Sequence, residues 1–376
     1  MFKSKIVAAY LPQFHETRSN NEFWGKGYTD WVGVKKAEPQ YKGHRQPKVP
    51  LNINYYDLSN IENIRWQAGI AKKYGVNGFN IYHYWFKDGE YELGKPAELL
   101  LNDKNIDIEF MFSWDNASWI RSWSNIPGGN PWAPSFDTNK AGKAVLKELD
   151  YGDETQWEKH FSYLLPFFMD KRYIKIDGKP VFAFMKSGDK EVLAYMRDYW
   201  KKLAVENGFP GLYLISSRRN FFEPHLFDNI YSYEPVTNGW GKRTAIEVRL
   251  KKYFGVELKN KCPVKLILDY EKYWKKVIRF SEKNRCNSIF LGGLVNFDDT
   301  PRRGKHARII ENSSPELFEK YFRQLYHISC ESNKELLFLN AWNEWGEGAY
   351  LEPDEENGYK YLEALKRVVE GEAGLS

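Results

Sequence analysis

The chain has 376 residues, of which 42% are hydrophobic and 28% are charged, a composition that excludes an intrinsically disordered protein. No stretch of about 18 apolar residues occurs, so the sequence predicts no transmembrane segment. The formal net charge of +5 is spread along the chain, whereas nucleic-acid binding calls for a clustered basic surface. The opening MFKSKIVAAYLPQFHE predicts a first strand rather than a signal peptide, and therefore a cytoplasmic protein.

Aromatic residues make up 17% of the chain, including 14 Trp and 25 Tyr. Tryptophan is rarely fully buried, and rings with polar edges are typical of clefts that bind sugars. An aromatic-rich core and an aromatic sugar-binding cleft are therefore both open interpretations. The three cysteines, Cys262, Cys286 and Cys330, form no CxxC motif. They indicate a reducing compartment and neither a disulfide framework nor a cysteine zinc site.

Eight apolar segments alternate with helical patterns. Their near-continuous apolar runs indicate parallel strands that are buried on both faces. The predicted strands span residues 5–11, 78–85, 108–114, 180–185, 211–216, 229–233, 288–297 and 335–342. Four helices are predicted. The first follows a capping box at Ser59 and Glu62 and ends at Gly75, the second and third carry apolar stripes at 157–168 and 266–280, and the fourth begins at Ser314-Pro315. This order predicts an α/β fold, a (β/α)8 barrel formed by a single domain over residues 1–376, with long rim loops at 115–175 and 234–264. A Rossmann-like sheet is less favoured because no GxGxxG follows the first strand.

The motif with the clearest chemistry, NAWNEWGEG at 340–348, ends the last predicted strand. Glu344 and Glu347 are three residues apart, so a helical turn would place both carboxyls on one face. Two carboxyls that flank one bond are what retaining glycoside cleavage requires. The neighbouring Trp342 and Trp345 would raise the pKa of one carboxyl by desolvation. The competing interpretation is a solvated helix start with acidic residues in its first turn, but the two tryptophans and the strand-end position favour a catalytic pair.

Polar and aromatic residues also follow the other predicted strands. They occur at 10–15, 82–85, 114–116, 233–234 and 296–299. In a barrel these strand ends share one rim, where active sites are built. We therefore expect Trp85, Trp114 and Trp345 to face one cleft.

Other chemistries are weakly indicated. The seven histidines show no metal-ligand spacing such as HExxH. The sequence contains no GxSxG motif, which would indicate a serine nucleophile, and residues 236–243 match a P-loop poorly. We expect neither a metal nor a cofactor. Asp298-Asp299 as a metal–nucleotide pair of a transferase is a minor alternative, since no nucleotide-binding half accompanies it. Arg302 and Arg303 are expected to pair with local acids rather than with an anionic sugar.

Several long strings resemble the WbsX family. They are YLPQFH at 10–15, WGKGYTDW at 24–31, GHRQP at 43–47, YHYWF at 82–86, RYIKIDGKP at 172–180, DTPRRG at 299–304, WNEWGEG at 342–348 and LEPD at 351–354. That family is similar to the glycoside hydrolase family 99 (GH99) endo-α-mannosidases. The resemblance implies a (β/α)8 barrel and a role in bacterial surface-polysaccharide loci such as those for O-antigen and capsule.

The resemblance also implies roles for individual residues. Glu344 would act as the base on the sugar 2-hydroxyl, and Glu347 as the acid on the glycosidic oxygen and then as the base toward water. Configuration would be retained through a 1,2-anhydro sugar. The substrate-binding candidates are Tyr10, Trp31, His44, Gln46, His83, Tyr84, Trp85, Trp114, Asn116, Tyr233, Glu234, Asn296, Asp298, Trp342, Asn343 and Trp345. Ala117, Phe297 and Asp299 depart from the family pattern and put the identity of the sugar in doubt.

The sequence thus predicts a retaining glycoside hydrolase-like enzyme that acts on a bacterial surface polysaccharide or its lipid-linked precursor, with a manno-configured, endo-cleaved substrate implied by the resemblance alone. A glycosyltransferase or transglycosylase in O-antigen or capsule biosynthesis is the first alternative. A non-catalytic glycan-binding barrel is the second, although such a module has no need of both Glu344 and Glu347. The predicted partner is an oligosaccharide or polysaccharide, and no protein partner is indicated.

Overall fold

A parallel barrel forms the centre of the chain in the computed structural model, which describes residues 2–120, 145–186, 189–217, 226–240 and 266–371. Its strands in the described residues are β1 (Lys5–Tyr10), β2 (Gly78–Trp85), β3 (Glu109–Trp114), β4 (Lys179–Phe184), β5 (Tyr213–Ser217), β6 (Asn229–Tyr231), β7 (Ile289–Phe290 with Gly292–Leu294) and β8 (Leu336–Asn340). Each strand pairs in parallel with the next one in this order, and β8 pairs with β1. The predicted (β/α)8 architecture is confirmed.

The barrel closes through β7, which is interrupted at Leu291. Its first part pairs with β6, with Ile230 opposite Ile289, and its second part pairs with β8, with Gly292 opposite Phe338. A Cβ on Gly292 would lie 2.1 Å from the carbonyl oxygen of Ser232, so only glycine allows this approach. The single run predicted at 288–297 is therefore two short strands.

Helices cover the outside of the barrel and cross its rim. In the described residues they are α1 (Arg18–Trp24), α2 (Asp30–Lys36), α3 (Ile61–Lys73), α4 (Lys95–Asn102), α5 (Glu154–Met169), α6 (Lys190–Glu206), α7 (Tyr270–Lys283), α8 (Thr300–Arg303), α9 (Pro315–Glu331) and α10 (Lys360–Gly371). Short antiparallel pairs join Tyr91–Glu92 to β2, Trp119–Ile120 to Val145–Lys147, Lys175–Ile176 to β4 and Asn343–Glu344 to Ala349–Tyr350. Leu266–Asp269 and Arg308–Glu311 form a parallel pair. Single turns of other helix types lie at Leu51–Ile53, Lys87–Gly89, Val236–Trp240, Gly304–His306 and Trp345–Glu347.

Two details of the predicted helix starts are wrong. Asn60, not Ser59, caps α3, because its side chain accepts the backbone N–H of Glu62 at 3.0 Å. Leu266 belongs to a strand rather than to the following helix, which begins at Tyr270 after the cap Asp269. The cap of α9 by Ser314, with Pro315 at the first helical position, is confirmed.

The aromatic residues mostly build the core. Side chains alternate along β2, so the Tyr82 hydroxyl lies 2.9 Å from that of Tyr233 across the lumen, whereas Trp85 stacks on His160 of α5 at 4.3 Å. Five tryptophans are among the largest fully buried side chains, namely Trp114, Trp200, Trp274, Trp342 and Trp345. The core interpretation therefore accounts for these rings.

Parts of both predicted rim loops, residues 121–144 and 241–265 with Cys262, lie outside the described residues. So do residues 241–243 of the P-loop comparison. Within the described ranges, no helix is both long and apolar enough to cross a bilayer.

Candidate active site

A tight hairpin after β8 carries the predicted carboxyl pair. Glu344 ends its first strand, a 3-10 turn covers Trp345–Glu347, and Gly348 at φ +58° starts the return. A Cβ on Gly348 would lie 2.9 Å from the backbone nitrogen of Asp298, so the close approach to that loop requires glycine. The hairpin stands at the carboxyl end of the barrel strands, where barrel active sites lie.

Asn343 ties the hairpin to the end of β1. Its Oδ1 accepts the backbone N–H of Leu11 at 2.7 Å, and its Nδ2 donates to the Leu11 carbonyl at 3.0 Å. Backbone bonds add to this connection, since the N–H of Trp342 donates to Ala9 at 2.8 Å. Asn343 is fully buried, so it positions the hairpin and does not line a cleft.

One guanidinium connects the two carboxyls. Arg302 donates from Nη1 to Glu347 Oε1 at 2.9 Å and from Nη2 to Glu344 Oε2 at 3.0 Å. Because i and i+3 side chains nearly eclipse in a 3-10 turn, Glu344 and Glu347 point the same way toward this arginine. Arg302 thus pairs with local acids, as predicted, and those acids are the candidate catalytic residues themselves.

Asp30 at the start of α2 completes the cluster. Its carboxylate lies 3.4 Å from Arg302 Nη2 and accepts the backbone N–H of Gly346 at 3.1 Å. A Cβ on Gly346 would lie 2.4 Å from Asp30 Oδ2 and 2.6 Å from Arg302 Nε. Asp30 was missed as a site residue, although it lies in the quoted string WGKGYTDW, which is a family signature without a local chemical signal.

The charges in this cluster are unequal in their exposure. Glu344 is 3% exposed, whereas the Glu347 side chain is 22% exposed. Burial raises the pKa of Glu344 to about 8; Arg302 opposes that shift, and the charges of Glu347 and Asp30 add to it. Burial alone would lower the pKa of Arg302, but the surrounding carboxylates raise it well above its usual value. Glu344 therefore carries a proton through most of the neutral range.

A buried network supports the hairpin from behind. Trp345 stacks on Tyr350 with ring centroids 3.8 Å apart and donates from Nε1 to Glu352 Oε2 at 2.6 Å. Glu352 also accepts from Tyr56 at 2.8 Å and from Gln67 at 2.7 Å. Burial raises the pKa of Glu352 to about 7 although these donors lower it. The predicted candidate Trp345 thus positions the pair from the packed side.

Asp298 anchors the loop beside Glu347. Its side chain accepts from His44 Nε2 at 2.8 Å and from Gln46 Nε2 at 2.7 Å, and its backbone N–H donates to the Glu347 carbonyl at 2.7 Å. His44 Nδ1 accepts the N–H of Gln40 at 3.0 Å, which assigns the ring proton to Nε2. The predicted candidates His44, Gln46 and Asp298 therefore hold one another.

Asp299 is likewise engaged by protein groups. It pairs with Arg308 Nε at 2.7 Å and with Arg303 Nε at 2.9 Å. These contacts bear out the expected pairing of Arg303 with a local acid. They also leave Asp298 and Asp299 arranged as loop anchors, which gives the metal–nucleotide alternative no support. Asn296, half-buried, accepts the N–H of Phe297 at 3.0 Å.

Three tyrosines of the barrel lumen lie near the carboxyl pair. Tyr82 and Tyr233 share a hydrogen bond, and Tyr84 lies on the same inward face of β2. Burial raises the pKa of Tyr82 and of Tyr84 well above its usual value, and the charge of Glu344 adds to both shifts. Of the predicted binding candidates, Tyr84 thus feels the charge of Glu344 directly, and Tyr233 is connected to it through Tyr82.

The expectation that Trp85, Trp114 and Trp345 face one cleft is wrong. Trp85 and Trp114 both pack on His160 of α5, with ring centroids at 4.3 and 4.9 Å, whereas Trp345 packs on Tyr350. A strand alternates its side chains, so the odd-numbered residues of β2 face the helices. His83 faces the same side, since its Nε2 lies 2.8 Å from Nε2 of His160.

The remaining candidates make structural contacts. Tyr10 donates to Gln67, and Trp31 donates to the Tyr56 carbonyl. Asn116 donates to Tyr151 and to the Lys186 carbonyl, and Trp342 packs on Phe79. Glu234 accepts hydrogen bonds from Ser232, Asn238 and Tyr273. These side chains are buried, so they shape the site indirectly.

A model of the family described as glycosyltransferase WbsX matches residues 6–365. Two uncharacterized proteins named WxcX, from two strains of Xanthomonas campestris pathovar campestris, are 28% and 27% identical over 374 residues. These matches cover 97% of this chain and 49% of each relative. The chain therefore spans about half the length of the curated relatives that it matches.

Solved structures share the fold. Two structures of a GH99 endo-α-mannosidase from Bacteroides thetaiotaomicron, one of them with bis-tris-propane, each give a TM-score of 0.57 over 100% of both chains, at 13% and 14% identity. A glycoside hydrolase-like protein gives a TM-score of 0.56 at 14% identity, over 98% of this chain and 94% of that one. At such identities the likeness concerns the barrel fold.

Proposed function

The chain belongs to the WbsX glycosyltransferase family, and from this premise we propose that it is a carbohydrate-active enzyme that cleaves a glycosidic bond with retention of configuration. The proposed substrate is a bacterial surface polysaccharide or its lipid-linked precursor. Glu344 and Glu347 are the proposed catalytic residues. A manno-configured sugar at the cleaved bond follows from the resemblance to the endo-α-mannosidases.

The observation that carries this proposal is the shared contact of both carboxyls with Arg302. One guanidinium reaches Glu344 at 3.0 Å and Glu347 at 2.9 Å, so the two carboxyls are close enough to act on a single bond. Retaining glycosidases place their carboxyls about 5–5.5 Å apart, whereas inverting enzymes need a wider gap for water. Each carboxyl gives one oxygen to Arg302.

As the proposed base, Glu344 acts in its ionised form, which is the minor form at neutral pH because burial raises its pKa to about 8. A carboxylate whose pKa is raised to about 8 is a stronger base, once ionised, than an ordinary carboxylate. In the first step Glu344 takes the proton of the sugar 2-hydroxyl, and that oxygen attacks the anomeric carbon to form a 1,2-anhydro sugar. Glu347 gives a proton to the leaving glycosidic oxygen as that bond breaks.

The second step restores both groups. Glu347, now ionised, takes a proton from water, and the resulting oxygen bonds to the anomeric carbon while the bond from that carbon to O2 breaks. Glu344 returns its proton to O2. Two displacements at one carbon give net retention. The 22% exposure of the Glu347 side chain supports this role, since the group must meet solvent water.

Transfer is the second candidate function, and the family description favours it. A sugar hydroxyl in place of water in the second step would make the same site a transglycosylase. A nucleotide-dependent transferase needs a site for the diphosphate. Asp298 and Asp299, the acidic pair considered for that purpose, are engaged by protein donors.

Incubation of the protein with an oligosaccharide of manno-configured residues, with and without a sugar nucleotide, tests the proposal. We expect cleavage without the nucleotide. The first product anomer seen by proton NMR should have the same anomeric configuration as the substrate. Glu363→Gln, an exposed change on α10, is the control and keeps wild-type turnover. Product formed only with the nucleotide would favour the transferase, and binding without turnover would favour a glycan-binding barrel.

A further inference from the structure

A second groove lies outside the carboxyl cluster, beside the turn that precedes α3. It encloses about 510 Å³, a volume in the range of small-molecule sites. Its main lining residues are Asn52, Ile53, Asn54, Tyr55, Trp66 and Tyr359. None of these residues takes part in the catalytic pair or in its supporting contacts.

The lip of the groove is strained. Asn52 and Ile53 both have positive φ, +58° and +56°, and a β-branched residue in this region is a genuine outlier. Ile53 is nevertheless 68% exposed, so burial of its side chain does not compensate the strain. Strained backbone of this kind is concentrated at ligand clamps and other functional sites.

Aromatic rings form the walls. Tyr55 meets Trp31 edge-on at 5.2 Å, and Trp66 meets Tyr56 at 6.1 Å. Tyr359 stacks on Tyr74 at 5.8 Å. Each wall ring is thus fixed by an aromatic neighbour behind it, which makes it a rigid platform toward the groove.

Charge is nearly absent from this lining. The lining residues are aromatic, aliphatic or amide side chains, and their only ionisable groups are tyrosine hydroxyls. The Lys35 ammonium caps Tyr55 at 4.1 Å from the ring centroid, and the Glu355 carboxylate accepts the Asn52 backbone N–H at 2.5 Å. Rigid rings together with the amides of Asn52 and Asn54 match a ligand that has apolar faces and hydroxyl edges and carries no charge.

We propose that this groove binds an uncharged oligosaccharide segment at a distance from the catalytic pair. The backbone N–H of Leu51 donates to the carbonyl of Pro353 at 3.0 Å, which fixes the groove to the segment that leaves the catalytic hairpin. Trp31 contacts both Tyr55 and Trp345, at 5.2 and 5.4 Å, so one ring separates the groove from that hairpin. The groove would hold a remote part of a long glycan, and its binding does not depend on the chemistry proposed for Glu344 and Glu347.

Fluorine NMR of the full chain labelled with 5-fluorotryptophan tests this site directly. The probes are neutral tetrasaccharides of mannose, glucose and galactose, with tetragalacturonate as the charged comparison, and Trp66→Phe assigns the Trp66 resonance. We expect a saturable shift of that resonance with at least one neutral probe and none with tetragalacturonate. The shift persists in Glu344→Gln, which separates this site from the catalytic one.

Ile53→Asn distinguishes a binding role from a structural one. Asparagine tolerates positive φ, so the variant melts at a higher temperature than the wild type. Because the strained lip is taken to belong to the ligand-binding form of the groove, its affinity for the neutral probe falls about tenfold or more. Tyr195→Ala, which removes a ring that is 71% exposed on α6, is the matched control and changes neither property. The proposal would be overturned if no neutral probe shifts the Trp66 resonance, if tetragalacturonate binds equally well, or if the affinity is unchanged in Ile53→Asn.

Discussion

Arg302 donates to Glu344 across 3.0 Å, at a carboxyl that is only 3% exposed. Burial disfavours the ionised carboxylate, and the adjacent guanidinium favours it. The pKa of Glu344 is raised to about 8 because burial outweighs the attraction. Arg302 thus limits how far burial raises the pKa of Glu344, the proposed base.

The pH dependence of kcat/KM follows from this balance. The proposed mechanism needs Glu344 ionised and Glu347 protonated at the same time, so we expect a bell-shaped profile in which the limb that titrates Glu344 lies near pH 8. Arg302→Gln removes the charge that lowers the pKa of Glu344, so that limb should move upward by about 1–3 units. A limb near pH 8 that stays in place in Arg302→Gln would contradict its assignment to Glu344.

Arg302→Lys separates support from substrate contact. Lysine keeps the charge but lacks the planar fork that reaches two carboxyls at once, so we expect a loss of about 1–3 kcal/mol in the free energy of unfolding. KM should change less than stability does. Arg303→Lys is the control, because Asp299 keeps its second partner Arg308. A large rise in KM with an unchanged melting temperature would assign Arg302 to the substrate.

Gly346→Ala probes the packing of the hairpin. The added Cβ would lie 2.4 Å from Asp30 Oδ2 and 2.6 Å from Arg302 Nε, so the ion cluster must shift. Overpacking of this kind costs about 1–3 kcal/mol, and turnover should fall with it. Gly69→Ala, at a glycine of α3 that has no positive φ and nothing within 4 Å of the added Cβ, is the control and should not lose stability. A urea midpoint and a turnover in Gly346→Ala that equal those of the wild type would contradict the observed packing.

The buried pair His83 and His160 makes stability depend on pH. Their Nε2 atoms lie 2.8 Å apart, so one ring must donate and the other must accept. Burial lowers the pKa of His83 to about 3 and that of His160 well below its usual value. These folded-state values lie below about 6.5, the value in the unfolded chain. The stabilisation is therefore complete above pH 6.5 and is lost as the pH falls toward 3.

Urea denaturation between pH 6.5 and 5 measures this effect. Each histidine that takes up a proton on unfolding adds a slope of about 1.4 kcal/mol per pH unit. The double variant His83→Gln/His160→Gln should have a flatter slope, and His327→Gln, at a half-buried position on α9, should keep that of the wild type. An unchanged slope in the double variant would show that other groups dominate.

Periodicity was enough to predict the barrel. The eight apolar runs are strands because segments buried on both faces need no polar alternation, and the order of helices and strands defines the closed fold. The same continuity hid the direction of each side chain. His83 and Trp85 face α5 whereas Tyr82 and Tyr84 face the lumen, and a strand that is buried on both faces gives no sign of this alternation.

The carboxyl pair could be found from local spacing, since Glu344 and Glu347 share one turn. Asp30 could not be found in this way, because it meets Gly346 and Arg302 across more than 270 positions of sequence. The contacts of His44 and Gln46 with Asp298 span a similar separation. Such contacts depend on the tertiary fold, so sequence could mark these residues as candidates but could not show that they bind one another.

Turnover by Glu344→Gln and Glu347→Gln, measured with an oligosaccharide and with a manno-configured aryl glycoside, tests the proposed catalytic roles of the two carboxyls most directly. Loss of a general acid costs about 10²–10⁴ in rate, so Glu347→Gln should lose kcat on the oligosaccharide and recover much of it on the aryl glycoside, whose leaving group needs little protonation. Glu344→Gln should be severely impaired on both, because the nucleophile is then not generated, while melting curves show both variants folded. Near-wild-type turnover of the oligosaccharide by Glu344→Gln, or equal losses on both substrates for Glu347→Gln, would contradict the account.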